Sequence, residues 1–461
     1  MTASKKNVGG SHWTEARRIA TLAWPIILTS LNWTIMHMVD VLVVGIAGTS
    51  ELGALAAGRV VFFVAIVLLL GGMTGVVVYT SRADGAGDLP RTGGLWREAL
   101  LLGLLLGLPT AAITAIFADP LLEHTGVAPA LVAPGADVLR AMMLGLPGQT
   151  VTIALSFFLE GVSQPRRVLL VNLVMLPVNA VLAWALALGH LGSPALGAVG
   201  AALATALTSI GGAIAMAVMC WTLPDASARA LRRRDIAAWI GAARGLPALL
   251  RFGAVPGFAA GMEVVGFSWL MILSTRMGAA TAGGFQVMLS LHNIGYALAL
   301  GLGSAAGVRV GNAVGAAELQ TVRPRTFIAC ALSIVIMGGL VAVYILASGP
   351  IVDMLTSDQM VAREAAIMVA ILAPFILLDG LQAIFLSALR SLGDQVAGGM
   401  NGIVGFFVVM AIAGLLFWQW GWGSAGLAWA AALGMTVSAS LQALRFMWVT
   451  RSPVAILRMM R

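Results

Sequence analysis

Three acidic residues stand where acids are costly. Asp40, Glu263 and Asp379 each fall inside a long apolar run of a 461-residue chain that has 19 acidic residues. A charged side chain near mid-bilayer costs on the order of 2.5–3.5 kcal/mol on insertion scales, and such groups commonly mark ion or substrate paths. Glu263 and Asp379 lie at similar depth in their runs, so the two can meet. No lysine lies in any apolar run. Neighbouring carboxylates without a buried cation repel, and a bound cation or a proton relieves the repulsion. Either event makes a coupling site for Na⁺ or H⁺. Asp40, Glu263 and Asp379 are therefore read as cation-coupling residues, with Na⁺ placed at Glu263 and Asp379.

Uncharged polar groups extend this set. Asn179 follows Pro177, whose missing N–H leaves the local carbonyl ladder partly open. Free carbonyls beside an amide oxygen suit a hard cation or a proton relay, so Asn179 joins the coupling set. Asn172 lies seven residues earlier on the same helical face. It is grouped with Gln286 and Asn293 as secondary polar positions, while His292 is read as a packed or hydrogen-bonded core histidine. Asn32, Met36 and Met262 are placed in a substrate cavity; Met and aromatic groups such as Trp24 and Trp33 make adaptable apolar walls, although such residues more often serve as plain core or lipid-facing groups. Glu160 fits a solvated or capping role and a functional one equally well, and Asp137 with Arg140 is read as a surface pair. Cys220 and Cys330 match no metal or disulfide spacing.

The elements that must hold these residues follow from composition. The chain is 60% hydrophobic and 10% charged, with a mean hydropathy of +0.96. Soluble domains carry about 25% charged residues, so a water-soluble enzyme, a disordered chain and a nucleic-acid-binding domain are excluded. Twelve runs are long enough to cross a bilayer, a length of about 20 residues. They cover 19–46, 52–80, 96–118, 134–159, 168–190, 196–222, 247–275, 279–308, 325–348, 364–389, 398–420 and 424–449. The longest polar connection is 223–246. The fold class is an all-α polytopic membrane protein.

With a cytoplasmic N-terminus, 23 of the 27 basic residues fall on the inner side, Lys5, Lys6, Arg234, Arg458 and Arg461 among them. Arg59, Arg140, Arg276 and Arg363 fall near the outer side. This asymmetry follows the positive-inside rule and puts both termini in the cytoplasm. The chain also repeats itself. SRADGAGDL (81–89) aligns with RVGNAVGAAEL (309–319), FFLEGVSQP (157–165) with IFLSALRSLGD (384–394), and GAVGAALATAL (197–207) with GSAGLAWAAAL (423–433). Six spans per repeat is an even number, so the repeats are parallel. The expected organisation is a six-helix lobe over 1–226, a cytoplasmic linker over 227–246 and a second six-helix lobe over 247–461. Two such pseudo-symmetric bundles suit a secondary transporter. No P-loop, HExxH, CxxC or GxSxG motif is present, so neither direct use of ATP nor catalysis is expected.

WPIILTSLNWTIMHMVDVLVVGIAG (24–48), FFLEGVSQPRR (157–167), LPVNAVLAWAL (176–186), GAVGAALATAL, GSAAGVRVGNAVGA (303–316) and PFILLDGLQAIFLSALRSLGD (374–394) together resemble the multidrug and toxic compound extrusion (MATE) family, in its bacterial NorM-type branch. The resemblance implies two six-helix lobes forming a V, and antiport of organic cations or other amphipathic toxins against Na⁺ or H⁺. It matches Asp40 and Asn179 to a first-lobe site, and Glu263 with Asp379 to a second-lobe cation site. Met175 stands where the family has a second asparagine, and Phe375 where it has a tyrosine.

The expected function is secondary active efflux of amphipathic, mostly cationic drugs by alternating access, with Na⁺ favoured over H⁺ and no cofactor. The expected setting is the bacterial inner membrane, as a monomer contacting lipid and drugs and no nucleic acid. The alternatives are a lipid-precursor flippase of the same superfamily and a non-transport membrane protein.

Overall fold

The computed structural model describes residues 12–233 and 235–459. Lys5, Lys6, Arg234 and Arg461, counted above on the inner side, lie outside these residues, as does the side chain of Arg458. No strand occurs among the described residues. Twelve helices have the length and apolarity to cross a membrane. In chain order they are α1 (His12–Ala47), α2 (Thr49–Gly85), α3 (Leu89–Ile116), α4 (Pro129–Gly161), α5 (Pro165–Leu188) and α6 (Gly197–Trp221). The second set is α7 (Ile236–Met277), α8 (Ala279–Gly315), α9 (Leu319–Leu346), α10 (Gln359–Ser391), α11 (Gln395–Gln419) and α12 (Gly423–Val449).

Several helices outrun their apolar cores. α1 begins at His12 rather than near residue 19, and α8 continues to Gly315. The second half of the expected 227–246 linker is helical, because α7 starts at Ile236. Its sequence IAAWIGAARGLPALLR is rich in Ala, Leu and Arg, strong helix formers whatever their hydropathy.

The chain packs as two compact units. One is residues 28–261; the other joins the residues up to 27 to those from 262 onward. The division therefore falls inside α1 and α7, not in the 227–246 connection. Local packing explains this. The first half of α1 is held to α8: a Cβ on Gly301 would lie 2.9 Å from the Ile27 nitrogen, so only glycine permits the approach. Arg309 of α8 also donates to both carboxylate oxygens of Glu15, at 2.7 and 2.9 Å. The first half of α7 is held to α2, where Gly71 faces Gly257 so closely that a Cβ would lie 2.7 Å from its Cα. Such small-residue contacts are how membrane helices pack without a hydrophobic driving force.

Within the 28–261 unit, α4 is the central helix, packed on α2, α3 and α6. In the other unit α10 takes that place, against α8, α9 and α12. The connection after α6 is anchored by buried Arg229, which donates to Asp84 at 2.7 Å, Asp225 at 2.7 Å and Thr92 at 3.1 Å. Asp84 belongs to the SRADGAGDL repeat, so that motif docks the connection. Asp137 and Arg140 form the expected pair, at 3.0 Å.

The duplication is written in the backbone. Gly48 ends α1 with φ 143°, and Gly278, 230 residues on, ends α7 with φ 122°. Gly87, after α2, has φ 73°; its counterpart Ala317, after α8, has φ 58°. A left-handed conformation costs a residue with a Cβ about 1–2 kcal/mol. Gly87 meets no neighbour within 4 Å of an added Cβ, so backbone strain alone governs a substitution there. Gly87→Ala is expected to destabilise the protein by about 1 kcal/mol. Ala317→Gly is expected to raise the melting temperature slightly, the relief being partly offset by about 0.5–1 kcal/mol of glycine chain entropy. Thermal melting in detergent reads both, and opposite signs are the expected result.

Candidate functional site

The 28–261 unit builds its polar centre from α1, α2, α5 and α6. The turn at Gly48 folds α1 and α2 into an antiparallel hairpin that brings Asp40 beside Arg59. Arg59 Nη2 donates to Asp40 Oδ2 at 2.8 Å, and Nη1 donates to the His37 carbonyl at 3.3 Å. The Thr205 hydroxyl also donates to Asp40 Oδ2, at 3.1 Å, and accepts from Asn179 Nδ2 at 3.3 Å. Asp40 is 1% exposed and Asn179 fully buried. Asp40 Oδ1 and Asn179 Oδ1 are buried without a hydrogen-bond partner. Asp40, Thr205 and Asn179 thus form one chain of polar groups, and Arg59 supplies its positive charge.

In the same unit, a small cleft opens among α1, α4, α5 and α6. Asn32, Met36 and Asn172, three expected polar or cavity positions, line it together with Gln149, Thr152 and Met175. Asn32 Nδ2 donates to the Asn172 carbonyl at 3.1 Å, and Asn172 Nδ2 donates to the Val168 carbonyl at 2.9 Å. No lining residue is charged. Met175, which replaces the family's asparagine, forms part of the apolar wall.

The other unit builds its centre from α7, α8 and α10. Asp379 is 2% exposed, and its Oδ2 lies 3.5 Å from His292 Nε2 without forming a hydrogen bond. Pro374, five residues before Asp379, removes one backbone donor from α10. Glu263 is partly buried and interacts electrostatically with Asp379, Tyr296 and Arg390. The ring of Phe267 packs on His292 at 5.1 Å and on Phe406 at 6.2 Å. Phe406 sits in a π-helical stretch of α11, Ile403–Val409. Phe375 meets Trp429 edge-on at 5.7 Å, so the ring at the family's tyrosine position is part of the packing.

The expected acidic pair therefore does meet, but not free of cations. Arg390 was assigned to the inner side. The longer α10 carries it inside the helix, where its Nε is buried without a partner and its charge acts on Glu263. His292 is buried, as expected of a core histidine, and its place in the core is beside Asp379. Gln286 and Asn293 are exposed and are not brought into this cluster. Met262 is partly buried and does not line the cleft. Among the described residues, no three His, Cys, Asp or Glu side chains converge as a metal site. Arg59, Arg390, Tyr296 and Thr205 were missed. For Arg59 a signal existed: it is a charge inside a predicted span, across one tight turn from Asp40.

Twelve span-capable helices among the described residues, packed as two units that each bury ionisable groups, define a polytopic membrane protein. The MatE family model matches residues 25–185 and 258–416, and the chain belongs to that family. It is 28% identical to the "Probable multidrug resistance protein NorM" of Xanthomonas campestris, over 95% of each chain. It is also 28% identical to the multidrug resistance protein PmpM of Pseudomonas aeruginosa, over 82% of this chain and 79% of that one. The crystal structure of the eukaryotic MATE transporter AtDTX14 superposes with a TM-score of 0.86 at 19% identity, covering 97% of this chain and all of that one. The Vibrio cholerae MATE transporter VcmN gives a TM-score of 0.85 at 17% identity, with 97% of this chain and 100% of that one covered.

Thr205 bridges two buried groups that otherwise lose a partner each. Thr205→Val is expected to cost about 1–3 kcal/mol, the size of an unsatisfied buried hydrogen-bonding group. Thr205→Ser is expected to melt like the wild type, and thermal unfolding in detergent compares the two.

Proposed function

We propose that this protein is a secondary active efflux transporter of the bacterial inner membrane. It expels amphipathic, mostly cationic drugs in exchange for inward-moving Na⁺ or H⁺, by alternating access. Both termini face the cytoplasm, and the monomer is the working unit. The observation that carries this reading is the charge balance of the two polar centres. Arg59 balances Asp40 in one unit, whereas in the other Glu263 and Asp379 act on each other and Arg390 acts on Glu263, so two carboxylates are set against one guanidinium. An excess anion in a low-dielectric site attracts a cation or a proton. Glu263 and Asp379 are therefore assigned the coupling ion, with Tyr296 and His292 facing it from α8.

The mechanism follows from mutual exclusion. Binding of Na⁺ or H⁺ at Glu263 and Asp379 cancels the surplus charge and favours one conformation. A cationic drug is drawn to the same negative potential, so each ligand weakens the other's hold. Such linkage is what couples two fluxes. The membrane potential supplies about 2.3 kcal/mol per 100 mV for each charge that moves inward. The cleft lined by Asn32, Met36, Gln149 and Met175 offers hydrogen-bonding groups and a deformable apolar wall, which suits varied amphipathic molecules rather than one metabolite. The NorM and PmpM relatives, named for multidrug resistance, support the same reading.

Cells expressing the protein are expected to tolerate more ethidium or norfloxacin than empty-vector cells. In vesicles, an imposed Na⁺ or pH gradient is expected to drive ethidium out. Asp379→Asn and Glu263→Gln are each expected to slow that flux roughly ten- to hundredfold, the scale of a lost coupling free energy of about 1–3 kcal/mol. Wild-type flux in both folded variants would remove the pair from the mechanism.

A further inference from the structure

Arg59 runs against the topology of the chain. It is one of four basic residues on the expected outer side, and it lies within a span. Its side chain is 20% exposed, while the Asp40 side chain it pairs with is 2% exposed. The guanidinium thus reaches inward from a partly open position. It makes one hydrogen bond to the carboxylate and one to the backbone carbonyl three residues earlier. Arginine keeps its charge at every physiological pH, so this partner cannot leave as a proton does.

The ligands around it are those a small cation would use. Asp40 Oδ2 already serves Arg59 and Thr205, while Asp40 Oδ1 and Asn179 Oδ1 are buried acceptors without donors. His37, whose carbonyl Arg59 holds, also has an unpartnered buried Nδ1. A purely structural ion pair normally satisfies its carboxylate fully, because buried polar groups are costly to leave unpaired. In the other unit no guanidinium among the described residues lies within ion-pair distance of Asp379, whose neighbour is His292 at 3.5 Å.

We infer that Arg59 is a tethered counter-cation. Its guanidinium occupies the seat that an exchangeable ion would take at Asp40, and so confines ion coupling to Glu263 and Asp379. The inference rests on the ion-coupled efflux proposed above and adds what keeps the Asp40 centre from exchanging an ion of its own. Arg59 is accordingly a positioning residue that sets how many ions move per drug.

The test counts coupling ions. In vesicles, the ethidium gradient that just balances a known Na⁺ or H⁺ gradient gives the ions moved per ethidium. Arg59→Gln is expected to move one more ion than the wild type. Arg59→Lys keeps a tethered charge and is expected to give the wild-type count. Asp40→Asn/Arg59→Gln, which removes both charges, is expected to return to that count. An unchanged count in folded Arg59→Gln overturns the inference. Should Arg59→Gln fail to fold, the double variant decides: a count one lower than wild type means that Asp40 already exchanged an ion, and the inference is wrong.

A separate measurement keeps the two readings apart. Proton titration and radiolabelled Na⁺ binding on detergent-purified protein count bound ions without transport. One extra ion on Arg59→Gln supports the tether even if ethidium efflux is absent, which would sink only the efflux reading. Equal binding to Arg59→Gln and wild type overturns the tether even where efflux is intact.

Discussion

A carboxylate held away from water must acquire a positive partner, and the rest of this structure is organised around that demand. The desolvation of an isolated charge exceeds anything one packing contact returns. The protein answers in two ways. In the 28–261 unit the partner is covalent: Arg59 is carried on the next helix and touches Asp40 directly. In the other unit Glu263 and Asp379 lie close enough to interact, with Arg390 acting on Glu263 and His292 beside Asp379. One centre is balanced by its own chain. The second sets two carboxylates against one guanidinium and one imidazole.

Positioning these groups is the work of irregular helices. Pro177 and Pro374 each interrupt the carbonyl ladder within five residues of a site group, Asn179 and Asp379. The π-helical stretch Ile403–Val409 sets Phe406 against Phe267, which in turn packs on His292. π-Bulges recur at functional positions because they re-aim side chains at modest backbone cost. Glycine contacts such as Gly71 with Gly257 and Gly301 with Ile27 then fix which unit each half of α1 and α7 joins.

The duplication copied the backbone and not the chemistry. Left-handed caps recur at Gly48 and Gly278 and at Gly87 and Ala317, each pair separated by 230 residues. At the same separation, Asp40 corresponds to Leu270, Arg59 to Leu289 and Glu263 to Trp33. The two units therefore have the same scaffold with different ionised groups. This divergence gives Asp40 a guanidinium partner on the next helix, whereas Asp379 has His292 beside it.

The class of the protein, its twelve spans and its internal repeat were legible in the sequence, because each depends on local hydropathy or on spacing along the chain. Asp40, Glu263 and Asp379 were legible for the same reason: a charge in an apolar run is conspicuous without a structure. Arg59 was nearly so. Asp40 lies eight residues before Gly48 and Arg59 eleven after it, so a helical rise of about 1.5 Å per residue puts them at comparable depth across the hairpin. Tertiary structure alone decided the rest. Thr205, His292, Tyr296 and Arg390 come from spans distant in sequence, and their ordinary residue types stand out only once helices pack. The division of α1 and α7 between units was equally hidden, since a single continuous apolar helix gives no sign along its length of which neighbour each half will touch.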